Sequence, residues 1–279
     1  IPQITPPEQL VRINGINSSI QSLSMLGSPA LAGLLLTISP VQTILFLDVI
    51  TAVIGISILF FLVKTPSKTE EERKNAAAKS YFTDIKEGIG YINKHGYVKR
   101  IFIMTAFFSI LLAPAALLSP LQVARDFGSD VWRLTAIEIA FSAGMLIGGV
   151  IIAVWGGFKN KTVTTTAGIF LFGLSTVGLG AFTNFILYLV CMALAGFSVP
   201  ITNTPVMSVL QAKVETDFMG RVFSVMTVIS SVLMPLGMVI FGPLGDRVAI
   251  DYLMLTTGIG VIILGGYVFM DKILMEAGT

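Results

Sequence analysis

The sequence predicts an all-α fold that crosses a lipid bilayer many times, and three observations carry that prediction. About eight long apolar runs follow one another along the 279 residues. Hydrophobic residues make up 54% of the chain and charged residues 12%, with a mean hydropathy of +0.86, whereas charged residues form about 25% of an ordinary soluble domain. Lysine and arginine also gather in alternate connections between the runs, as they do in chains that keep one side of each loop pair in the cytoplasm. A helix needs about 20 apolar residues to cross about 30 Å of hydrocarbon. The 27 glycines and 12 prolines do not oppose this, because neighbouring helices re-satisfy the backbone in membrane spans.

The first run, residues 16 to 38, carries Asn14, Asn17, Ser18, Gln21, Met25 and Ser28 along one helical face. Lipid does not tolerate such a stripe, so that face meets protein or water. The second run, 42 to 63, holds Asp48 within it. Between 64 and 99 both signs of charge appear, and Tyr81, Phe82, Ile85, Ile89 and Ile92 recur at helical spacing. That pattern predicts an amphipathic helix, lying on the membrane surface or packed against span ends. His95 closes it as a loop histidine.

The third run covers 100 to 121 and includes Phe107 and Phe108; the fourth covers 134 to 156 and holds Glu138. On the fourth, Ser142, Met145 and Gly149 share the Glu138 face, while Ala140, Gly144 and Gly148 form a small-residue stripe that suits close helix contact. Runs at 163 to 182 and 185 to 209 follow, the second with Asn203 and Thr204 between Pro200 and Pro205. The seventh, 222 to 244, bears Ser224, Thr227, Ser231, Met234 and Met238, and the eighth covers 252 to 270. These polar and thioether side chains suit either a cavity wall or helix contacts. Asp48 and Glu138 stand out, since a carboxylate in hydrocarbon costs several kcal/mol unless it is paired, wet or protonated.

With the segment before the first run on the inner side, only Arg125, Arg133 and Arg247 fall outside. Both ends of the segment and the long loop are therefore expected in the cytoplasm. Shifting the chain against itself by 209 positions sets Arg12 on Arg221, Ile20 on Ile229, Met25 on Met234, Gly33 on Gly242 and Leu35 on Leu244. Residues 1 to 63 then read as the end of one six-helix half, 64 to 99 as the loop between halves, and 100 to 279 as a complete second half. The chain opens at Ile1-Pro2-Gln3 without an initiator methionine, so the expectation is a fragment whose first four spans lie upstream, eight of twelve remaining.

On these residues the chain resembles the major facilitator superfamily, in the branch similar to macrolide-efflux and siderophore-export proteins. Ser24, Ser28, Pro29, Ala32 and Gly33 resemble its fifth-helix antiporter motif, with serine and alanine where glycines are usual. Val214 to Val222, with Gly220 and Arg221, resembles the turn before helix eleven, and Gln9 to Asn14, with Arg12, its first-half counterpart. Gly156, Gly157, Lys159, Asn160 and Lys161 look like the basic loop between helices eight and nine, with Asn160 in place of aspartate. The resemblance implies a helix bundle that exports small amphipathic compounds by alternating access, with protons as the coupling ion. It also implies a plasma-membrane protein of prokaryotic type, monomeric when complete, with no cofactor and no nucleic-acid partner. Asp48 and Glu138 are then the proton-coupling candidates. Asn17, Gln21, Met25, Ser142, Met145, Asn203, Thr204, Thr227, Ser231 and Met234 are the substrate-cavity candidates.

A siderophore or lipid-like exporter of the same fold, and a membrane scaffold or sensor, stand as alternatives. A membrane-embedded enzyme finds little support in a chain with one histidine and one cysteine, Cys191, which also exclude an intrachain disulfide and a His-rich metal site. An ATP-driven pump lacks its Walker sequence.

Overall fold

The computed structural model describes residues 31, 35, 39–62 and 81–279. The chain divides into two compact units, Ile1–Ser80 and Tyr81–Thr279, so the amphipathic segment around residue 90 belongs to the second unit. The first span, with Asn17, Gln21, Met25 and the motif residues Ser24, Ser28, Pro29, Ala32 and Gly33, lies outside the described residues, as does Arg12.

In the first unit α1 spans Val41–Leu62. It is mostly apolar, with Asp48 the one charged residue, and Phe46, Val49, Ile50 and Val53 are exposed along it. A predominantly apolar helix with an unburied surface suits a lipid environment.

The second unit is a bundle of helices: α2 (Tyr81–Lys94), α3 (Gly96–Leu117), α4 (Ser119–Asp126), α5 (Val131–Trp155), α6 (Lys161–Ala181), α7 (Phe185–Lys213), α8 (Thr216–Arg247), α9 (Ile250–Met270) and α10 (Lys272–Ala277). Six stretches among the described residues are long and apolar enough to cross a membrane: Gly96–Asp126, Val131–Trp155, Lys161–Ala181, Phe185–Lys213, Phe218–Arg247 and Ile250–Met270. They correspond to the third to eighth runs. The third is longer than its predicted 100 to 121, because α3 begins at Gly96 and is followed, after the single turn residue Leu118, by the short helix α4 that ends at Asp126.

Helix ends follow local chemistry. Asn160 caps α6 by accepting from the amides of Thr162 and Val163, Asn184 caps α7 through Ile186 and Leu187, and Asp271 caps α10 through Ile273 and Leu274. The helix α5 stops at Gly156, whose φ of 73° is a left-handed cap that glycine adopts without strain.

Packing runs through small residues. Helix α5 lies on α7, α6 on both α7 and α9, α8 on α3, and α9 on α3. A Cβ at Gly144 would stand 2.0 Å from the Ala193 carbonyl oxygen, one at Gly148 2.3 Å from that of Phe197, and one at Gly196 2.0 Å from that of Phe141. Backbones at that separation admit no side chain, which is how small residues bring membrane helices together where lipid leaves little hydrophobic drive.

The amphipathic helix α2 docks on the start of α8. Gly88 sits against the Arg221 carbonyl and Val225, Glu87 pairs with Arg221 at 3.1 Å, and Tyr91 stacks on Phe218. Tyr91 and Ile92 are buried, but Ile89, which belongs to the predicted apolar face, is 45% exposed. The close approach is made through Gly88, so the buried side runs through Gly88, Tyr91 and Ile92 and leaves Ile89 beside it.

Candidate functional site

A cavity of about 210 Å³ opens inside the second unit, walled by α3, α5, α6 and α7. Its lining is Leu112, Ala115 and Ala116 from α3, Glu138 and Phe141 from α5, Phe172 and Leu179 from α6, and Met192 and Ala195 from α7. Phe172, Leu179 and Ala195 are 1% exposed and form the floor. Glu138 and Ala116 are exposed and form the rim. The cavity is therefore an apolar recess with one ionisable group, a carboxylate, at its lip.

The local sequence accounts for this arrangement. Helix α5 is held flush to α7 through Gly144, Gly148 and Gly196, which fixes the turn of α5 bearing Phe141 and Glu138. On α3, Pro114 supplies no amide to the Ile110 carbonyl, and alanines follow at 115 and 116, so the helix is thin where the recess opens.

The other candidates are placed as follows. Asp48 lies on α1 in the first unit and is exposed; the Thr51 hydroxyl donates to its backbone carbonyl at 2.9 Å. Ser142 is buried and Met145 half-buried on α5, and neither is among the lining residues of the Glu138 recess. Asn203 and Thr204 are exposed on α7, while their neighbour Thr202 is buried and donates to the Ser198 carbonyl at 2.9 Å. Thr227 and Ser231 line a separate open groove of about 310 Å³ with Met207, Phe223, Met226 and Ser230. Met234 is exposed one turn further along α8. Gly220 is exposed with open space around it, and Arg221 combines its Glu87 pair with a position over the Phe218 ring.

Two polar clusters escape sequence reading. At the α4 end of the bundle, Gln122 is 2% exposed and donates to the Leu179 carbonyl at 2.9 Å and to Asp251 at 2.6 Å, while the buried Tyr188 hydroxyl donates to Gln122 Oε1 at 3.0 Å. The cluster joins α4, α6, α7 and α9. Its one sequence signal was a glutamine two residues after Pro120 at the end of a predicted span.

At the opposite end, α10 is tied down from several sides. Asn160 Nδ2 donates to the Met275 carbonyl at 2.8 Å, the Thr162 hydroxyl to that of Leu274 at 2.5 Å, and the Lys161 amide to that of Gly278 at 2.7 Å. Tyr97 donates to the Lys213 carbonyl at 2.7 Å, and Lys213 Nζ reaches the Glu276 carbonyl at 3.4 Å. Arg100 pairs with Asp271. Burial works to raise the Asp271 carboxyl, but the hydrogen bond from Arg100 and those from the Leu274 and Ile273 amides outweigh it and hold the group below the ordinary carboxylate value. No cluster of His, Cys, Asp and Glu fit to hold a metal ion occurs among the described residues.

Residues 1–238 match the family model described as Major Facilitator Superfamily. Macrolide efflux protein A of Streptococcus pyogenes is 29% identical over 259 residues, 92% of this chain and 63% of that protein. Macrolide efflux protein A of Enterococcus faecalis is 30% identical over 239 residues, 85% of this chain and 73% of that protein. The multidrug efflux pump Tap of Mycobacterium bovis is 23% identical over 263 residues, 92% of this chain and 60% of the pump. The chain thus spans a little under two thirds of the first of these relatives.

Proposed function

Because the chain belongs to the Major Facilitator Superfamily and is a multi-pass membrane protein, we propose that it is the greater part of a secondary transporter that exports small amphipathic compounds and is driven by protons. The observation that carries this reading is the Glu138 carboxylate on the rim of an otherwise apolar recess among four helices. A carboxylate inside a span is costly unless it is paired, wet or protonated, which makes it the candidate proton carrier on this reading. Asp48 in the first unit is the second proton-carrying candidate, and Asn203, Thr204, Thr227, Ser231 and Met234 are candidates for contact with substrate. Substrate undergoes no covalent change on this reading.

Macrolides are the first substrate class to examine, since two of the similar proteins carry that word in their names and a third is described as a multidrug pump. The test uses the complete transporter. Expressed in cells stripped of their own efflux systems, it should lower accumulation of a macrolide several-fold, and dissipating the proton gradient should restore accumulation. Equal accumulation with and without the transporter would overturn the export reading.

We further propose that Lys159, Lys161, Lys213 and Lys272 lie on the cytoplasmic side, from the bias of basic residues.

A further inference from the structure

We infer that the groove between α3 and α9 is a binding site for one phospholipid with an anionic headgroup, its acyl chain lying along the groove and its phosphate at the end marked by Arg100. The site is separate from the Glu138 recess and does not depend on the reading of the chain as an exporter.

The groove encloses about 420 Å³. It opens outwards, since Ile103 and Phe107 on α3 and Ile263 and Tyr267 on α9 are exposed along it, while Met104 is buried at its floor. Apart from the Tyr267 hydroxyl its side chains are apolar, so its natural occupant is hydrocarbon.

Both walls lead to the same charged end. On α3 the lining residues Ile103, Phe107 and Leu111 recur every fourth position, and that row continues back to Arg100. On α9 the row through Gly260, Leu264 and Tyr267 continues past the helix end to Asp271. Arg100 and Asp271 form an ion pair, so the two rows converge there. At the other end α3 and α9 meet, because a Cβ at Gly260 would stand 3.2 Å from Leu111 Cδ2.

Length fits one leaflet. From Ile103 to Leu111 the groove runs about 12 Å, at a helical rise of about 1.5 Å per residue. A leaflet contributes half of a hydrocarbon core about 30 Å thick. An acyl chain that starts at the Arg100 end thus lies in the groove for most of its depth.

The charged end suits a phosphate. Arg100 donates to Asp271 through Nη1, its one side-chain hydrogen-bond partner among the described residues. A guanidinium carries further N–H donors in a plane that matches phosphate oxygens, and this side chain is 37% exposed. Lys99 is exposed beside it, and the exposed Tyr267 stands one turn before Asp271 with a hydroxyl able to donate. Arg100 offsets Asp271 and Lys272 offsets Glu276, which leaves the Lys99 charge in excess. A basic end on an intramembrane groove favours a lipid of net negative charge.

A covering helix fits less well. Membrane helices approach one another through small residues, whereas the rims here carry Ile103, Phe107, Ile263 and Tyr267.

The experiment is native mass spectrometry of the complete transporter in an uncharged maltoside detergent, titrated with dioleoyl phosphatidylglycerol and separately with dioleoyl phosphatidylcholine. The expected result is one saturable phosphatidylglycerol site, with phosphatidylcholine bound about tenfold more weakly. The double variant Lys99→Gln, Tyr267→Phe leaves the Arg100–Asp271 pair in place and should bring phosphatidylglycerol down to the affinity of phosphatidylcholine. Ile263→Trp, which adds bulk at an exposed wall position, should weaken both lipids. Each variant is first checked for a wild-type melting temperature.

Equal affinity for the two lipids would overturn the proposal, as would wild-type phosphatidylglycerol binding in the double variant or in Ile263→Trp. Failure of the complete transporter to retain either lipid would overturn it too, by showing that another helix covers the groove.

Discussion

Arg100, near the start of α3, pairs with Asp271, the residue that caps α10, across 171 positions of sequence, and the Asp271 side chain is 1% exposed while that of Arg100 is 37% exposed. One carboxylate thus holds an ion pair and a helix cap together, and it anchors the segment that Asn160, Thr162 and Lys161 also grip.

Replacing Asp271 with alanine removes the two cap hydrogen bonds and leaves Arg100 unpaired. The cap alone is worth about 1 kcal/mol, and the partly exposed pair adds up to about another 1 kcal/mol. The melting temperature of the purified protein in detergent should fall by several degrees, and Lys272→Ala, a neighbour without those bonds, should leave it unchanged.

The same residue sets an acid limit. Its folded-state pKa lies below the ordinary carboxylate value of about 3.9. The stability it contributes is therefore complete above that ordinary value and is lost as the pH falls through the lower folded value. Melting curves recorded downward from pH 5 should show a loss in the wild type that is smaller in Asp271→Asn.

Helix α5 should respond oppositely to the same change at two glycines. Gly144→Ala drives a methyl group into the Ala193 carbonyl and should cost about 1–3 kcal/mol of stability. Gly149→Ala meets nothing within 4 Å and should be neutral or slightly stabilising. Thermal stability of the two variants measured side by side decides this.

At the other end of the bundle, Gln122→Leu leaves the Tyr188 hydroxyl without its acceptor and the Leu179 carbonyl without its side-chain donor. A loss of about 1–3 kcal/mol is expected. Tyr188→Phe removes one donor to Gln122 Oε1 and should cost about 1 kcal/mol, read again from melting temperature.

Much of this fold was legible in the sequence. The apolar runs mark all six long spans of the second unit, because length and hydrophobicity are properties of a segment by itself. The spacing of Gly144 and Gly148 likewise marks a contact face on α5, because a helix brings every fourth residue to one side. What a segment meets is a different matter. The partners of Glu138 come from positions as distant as Leu112 and Ala195, and which faces of α3, α6 and α7 turn towards it is settled by packing, not by any local pattern. Ser142 and Met145 illustrate the limit: they lie near the Glu138 face by helical spacing, yet the lining residue that accompanies Glu138 on α5 is Phe141. The Gln122 cluster was hidden for a related reason, since glutamine, tyrosine and aspartate at separate span ends carry no sign that they converge.

The measurement that bears most directly on the central claim is proton-driven flux through the complete transporter in liposomes, with and without the Glu138 carboxylate. An imposed pH gradient should drive uptake of a labelled amphipathic cation in the wild type, and Glu138→Gln should reduce that flux tenfold or more while the protein melts at its usual temperature. Asp48→Asn should reduce it as well. Undiminished pH-driven flux in the folded Glu138→Gln variant would contradict the account.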